Sequence, residues 1–141
     1  MFELLKMAHL ITIAMVSGLL LAHYVSLRAS AGREHVAGMA LARRTLADIT
    51  SFAIASAWIS GLTLLWSQYG TSQSPLSAWF YPKFGLVGVL TFAHVMQRTR
   101  SAKYRRNHDL VRGRRIAERW VSFAWISALF AICLAVIAFE R

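Results

Sequence analysis

Four apolar runs, each about twenty residues long, alternate with polar blocks along the chain. They cover roughly residues 4–27, 46–66, 78–97 and 120–139. A bilayer core needs about 20 mostly apolar residues per helix. Lipid offers no partner for backbone polar groups, so a spanning run must be helical or part of a closed barrel. The pattern predicts an all-α integral membrane four-helix bundle, with residues 1–141 as one transmembrane domain. The first run is too long for the core of a secretory signal, and its basic residues follow it, so it reads as a retained helix.

Local signals set the expected boundaries. Pro75 separates the second run from the third, and Pro82 falls in the first turn of helix three, where its missing N–H is harmless. Asn107 and Gly113 interrupt the second basic block, although 101–106 could prolong helix three. Asp48 suits the start of helix two, where a carboxylate meets the positive end of the dipole. Val16-Ser17-Gly18-Leu19 resembles Ile59-Ser60-Gly61-Leu62, and both read as small-residue packing sites.

Composition supports the membrane reading, since 57% of the 141 residues are hydrophobic. The net charge of +10 would suggest nucleic acid in a soluble protein. Here the charge is confined: thirteen of the sixteen basic residues lie at 28–44 and 98–119. The intervening stretch 67–77 has no charge and is flanked by Trp66, Tyr69, Trp79 and Tyr81. The positive-inside rule places both basic blocks in the cytoplasm and both termini on the non-cytoplasmic side, with the aromatics as an interfacial belt. A bacterial cytoplasmic membrane is the expected location, with lipid and not nucleic acid as the partner. The single cysteine, Cys133, excludes an internal disulfide and reads as a small packing residue.

Ionisable residues inside the runs carry the functional signal. Residues 7–27 hold no Asp, Glu, Lys or Arg, yet contain His9 and His23; the third run opens at Lys83 and nears its end at His94. Such groups are costly in hydrocarbon and usually face a cavity, a partner or a cofactor. Helix geometry of about 100° and 1.5 Å per residue puts His9 and His23 near one face, and Lys83 and His94 near another. In the predicted topology His9 and Lys83 share the outer half, and His23 and His94 share the inner half. Imidazole is a good haem-iron ligand, and bundles build cofactor sites from facing side chains. His23 and His94 lie nearer the cytoplasmic surface, where water could satisfy them; His35 and His108 read as solvated. The methionines do not cluster, which weakens a copper site.

These residues resemble the HemJ-type protoporphyrinogen IX oxidases and the related CopD-like small membrane proteins. Lys6-Met7-Ala8-His9 is similar to that family's K-x-x-H, and Gly18-Leu19 to its G-L. Arg43-Arg44-Thr45-Leu46 and Gly61-Leu62-Thr63-Leu64-Leu65 resemble the two ends of its second helix. Trp79, Lys83, Leu86-Val87 and His94 resemble its W-x-x-x-K-x-x-L-V…H. The similarity covers about the first hundred residues. The family's Pro-Arg pair falls here on His23 and Tyr24.

The resemblance implies haem b and the oxidation of a porphyrin substrate. His9 is then an axial ligand, and Lys83 a catalytic residue, second ligand or carboxylate partner. His94 is then a further cofactor-binding residue, helix geometry rather than the resemblance adds His23, and His9 and His94 are the metal candidates. The competing reading is a non-catalytic accessory or assembly subunit of a larger respiratory or photosynthetic membrane complex, or a homo-oligomer. It fits the altered Pro-Arg motif and the small-residue faces. A copper-handling protein is the third option.

Overall fold

Long runs with no proline beyond the first turn let each helix continue past its apolar stretch. The computed structural model describes residues 2–32, 37–70 and 80–139. They form α1 (Phe2–Ala29), α2 (Ala37–Tyr69), α3 (Phe80–Arg106) and α4 (Leu110–Phe139). α2 has 33 residues, about 50 Å of helix, against roughly 30 Å of hydrocarbon in a bilayer. Arg43 and Arg44 therefore ride on α2, and the second basic block is nearly all helical. Asp48 lies three turns inside α2, away from the helix start where the sequence put it.

Between α3 and α4 only a tight turn breaks the helix. Asp109 N–H donates to the Tyr104 carbonyl at 3.1 Å, and His108 N–H to that of Arg105 at 3.2 Å. This is the paired closure that caps a helix C-terminus around a left-handed residue. That residue is His108, at φ 56°. Asp109 then caps α4, its Oδ1 accepting from Arg112 N–H at 3.1 Å. Gly113, expected to interrupt, is buried inside α4. A Cβ there would sit 2.9 Å from Tyr104 Cβ, so glycine lets the two helices close directly after the turn.

The helices form an up-down ring in which α1 packs on α2 and α4, and α3 packs on α4. α2 and α3 approach closely at only a few points, and α1 lies diagonal to α3. The core is small: Val16, Leu20, Ala53, Ile54, Leu90, Ala93, Ala124 and Ala128. Alanine lets helix axes approach closely. The outward faces are strongly apolar, with Leu4, Phe52, Ile59, Trp66 and Phe130 each at least 60% exposed. His23, Ser30, Thr50, His94, Gln97 and Ser127 are buried. Polar groups inside and large apolar groups outside reverse the pattern of a water-soluble bundle.

Among the described residues, three helices are long and apolar enough to cross a membrane: Glu3–Ala29, Gly38–Gln68 and Leu110–Ala135. α3 falls short, since Lys83, His94, Gln97 and its basic end dilute its apolar content. Its buried residues Leu90, Ala93, His94 and Gln97 still follow the three-and-four spacing of one inward face. Trp66 and Tyr81 are exposed where the aromatic belt was expected; the side chains of Tyr69 and Trp79 lie outside the described residues. Cys133 is exposed on α4 and not packed in the core, because it continues the outward stripe of Phe123, Ile126 and Phe130.

Candidate functional site

Two polar layers lie inside the bundle. In the outer layer, His9 on α1 reaches α2, its Nδ1 2.8 Å from Ser60 Oγ. The Ser60 hydroxyl is also 2.8 Å from the Ser56 carbonyl. With its single proton on that carbonyl, Ser60 accepts from His9 Nδ1–H, and Nε2 keeps the ring's lone pair; the tautomer follows from this hydrogen-bond chain. Gly61 makes the approach possible, since a Cβ there would meet His9 Cε1 at 3.1 Å and Nε2 at 3.7 Å. The Ser-Gly pair that the sequence suggested as plain packing is thus the surface on which the His9 imidazole rests.

Lys83 stands part-buried in the first turn of α3. The described hydrogen bond of His9 runs to α2, while Lys83 stands on α3, diagonal to α1.

The inner layer is drier than its position in the sequence implied. His23 is 1% exposed and His94 5%, so both are buried in the bundle and not washed by surface water. They stand on the diagonal helices α1 and α3, with His23 in electrostatic reach of His94 and Arg43. His94 Nε2 is 2.8 Å from Ser51 Oγ. Ser51 accepts from Arg98 Nη1 at 2.8 Å and donates to the Ala47 carbonyl at 2.9 Å. Arg98 Nη2 pairs with Asp48 at 2.6 Å. A continuous polar chain therefore runs from His94 through Ser51 and Arg98 to Asp48, whose side chain is 64% exposed.

Among the described residues, His23 Nδ1, His94 Nδ1, Gln97 Oε1 and, one turn further along α3, Ser101 Oγ are buried without a hydrogen-bond partner. An orphan of this kind carries a desolvation cost of about 1–3 kcal/mol.

Side chains of this layer also explain the wide α2–α3 seam. Trp58 Nε1 donates to Thr91 Oγ1 at 2.9 Å, and Arg98 donates to the Ala47 carbonyl at 3.2 Å across it. Polar and aromatic groups span a gap that alanines close elsewhere. At the basic end, Arg43 donates to the Met39 carbonyl and to Ser30 Oγ, each at 3.2 Å. Burial, then the neighbouring Arg44, Arg98 and Arg43, lower the Arg105 guanidinium below its ordinary value. The four arginines thus form one positive cluster.

No three of His, Cys, Asp or Glu gather as a metal-binding group among the described residues. That arrangement argues against a multi-ligand copper centre, whereas a haem iron needs only one or two protein ligands. Met7 and Met15 face outward. His108 is exposed as expected, and His35 lies outside the described residues. Sequence reasoning missed Ser51, Ser60 and Gln97, because small polar residues on apolar helices give no signal until a partner helix is placed. Comparison with protein-family models, curated proteins and solved structures finds no match.

Proposed function

We propose that the chain is an integral membrane protein with both termini outside and its basic ends in the cytoplasm. In this reading it binds haem b and acts as an oxidoreductase on a porphyrin, as the HemJ-type resemblance implies. One observation carries the haem assignment. His9 is held by Ser60 against Gly61 so that Nε2 is the nitrogen left for a ligand. Iron-ligating histidines commonly donate their other ring N–H to a fixed acceptor, which orients the ring and sets its tautomer.

Haem, when bound, supplies the one-electron chemistry. The protein's part is to hold His9 in place and offer Lys83 as a second ligand or a partner for a carboxylate. The inner chain His94–Ser51–Arg98–Asp48 fixes the orientation of the His94 ring; Arg98 stays protonated, so the chain is a support and not a proton path. His23 and His94 are the alternative ligand pair, since each has an orphan ring nitrogen.

The test is the absorption spectrum of full-length protein purified from haem-sufficient cells. A Soret band that shifts on reduction and is lost in His9→Ala, but kept in His108→Ala, supports the reading. A band that survives His9→Ala and is lost in His23→Ala or His94→Ala moves the ligands to the inner layer. A wild-type protein without a Soret band, co-purifying at fixed stoichiometry with a larger complex, replaces the enzyme with the accessory-subunit reading.

A further inference from the structure

The outward face of α4 carries an open cleft of about 480 Å³, lined by Arg115, Glu118, Arg119, Ser122, Phe123 and Ile126. Steps of three and four residues place these side chains on one helical face. The cleft is polar at the Arg115 end and apolar at the Ile126 end. Those ends are about 16 Å apart along the axis at ~1.5 Å per residue.

Its charge is not balanced internally. Glu118 is the sole acid in the lining, and it is already engaged by Arg28 at 3.3 Å and Arg114 at 3.3 Å. Neither Arg115 nor Arg119 makes a hydrogen bond or ion pair among the described residues. Two guanidiniums one turn apart thus face outward above Phe123 and Ile126, which are 52% and 46% exposed. Beside them Arg100 lies over the Trp120 ring at 6.0 Å, the pairing of basic and aromatic groups usual at headgroup level.

We propose that this cleft is a binding site for an anionic phospholipid. Its phosphate sits between Arg115 and Arg119, and an acyl chain lies along Phe123 and Ile126. A guanidinium fork matches phosphate oxygens and keeps its charge at any physiological pH. A free phosphate would leave the apolar half of the cleft bare, and a zwitterionic headgroup would bring an ammonium toward two fixed cations. Basic pockets on the cytoplasmic side of membrane helices suit anionic headgroups. The inference rests on the membrane-spanning reading, but not on haem.

The experiment is native mass spectrometry of the full-length protein in mild detergent, with phosphatidylglycerol or phosphatidylcholine added, alongside carbonate extraction of membranes. Wild type should retain phosphatidylglycerol in preference to phosphatidylcholine. The double variant Arg115→Gln/Arg119→Gln should weaken that retention at least about ten-fold, the ratio equivalent to 1.4 kcal/mol. Lys103→Gln/Arg106→Gln removes the same charge outside the cleft and should leave retention unchanged. Equal loss in both double variants, or displacement of the lipid by millimolar inorganic phosphate, overturns the site. Carbonate-resistant protein that holds no phosphatidylglycerol overturns the site alone. Carbonate-extractable protein overturns the spanning reading with it.

Discussion

Replacing Gly61 probes the bed of His9 directly. In Gly61→Ala the new Cβ would lie 3.1 Å from His9 Cε1, so the ring must retreat by a few tenths of an ångström. The helix gains about 1 kcal/mol from exchanging glycine for alanine. The His9–Ser60 hydrogen bond, 2.8 Å long, is worth about 0.5–1.5 kcal/mol net. These effects oppose each other, and the alanine variant should be close to neutral in stability. Gly61→Val places an isopropyl group against the imidazole and should cost about 1–3 kcal/mol by overpacking.

The decisive quantity is coupling. If the penalty comes from His9, then His9→Ala should abolish most of it, and the double-mutant cycle should show about 1–2 kcal/mol of interaction. Unfolding of the purified protein in mixed micelles, followed by far-ultraviolet circular dichroism, measures all four species. A valine penalty that is unchanged in the His9→Ala background would refute the packing of His9 against Gly61. The same variants also report on haem, since a displaced imidazole should weaken the Soret band even where stability is unaltered.

Other expectations follow from single contacts. Single cysteines at Ser67 and Asn107, in a Cys133→Ser background, should label from opposite sides of the membrane; labelling from one side would contradict the proposed topology. His108→Gly should stabilise by about 1 kcal/mol, because a left-handed φ of 56° strains any side chain; unchanged unfolding free energy would show the strain is absent. Ser51→Ala should cost about 1–3 kcal/mol, since it strips a partner from both His94 and Arg98, and a neutral result would mean the polar chain is not formed. Asp48→Ala should cost under about 1 kcal/mol, as its ion pair with Arg98 is largely exposed; a larger loss in the same titration would assign that pair a structural role.

The helical content and the outward apolar faces were legible in the sequence, because apolar length and charge distribution are properties of the chain alone. So was the oddity of His9, His23, Lys83 and His94, which needs no partner to be noticed. Which way each one points is a property of the packed bundle. His23 lies close to a basic block and reads as a surface group, yet the ring of helices buries it almost completely. Gly113 reads as a break, yet it sits within α4 because Tyr104 needs its space. The two Ser-Gly-Leu segments make the point most sharply. Locally they are nearly the same peptide, and both are helical. A Cβ on Gly18 would meet nothing within 4 Å, while one on Gly61 would press on His9. Backbone propensity acts within one helix and treats the two alike; only the placement of α1 against α2 makes one of them part of a site.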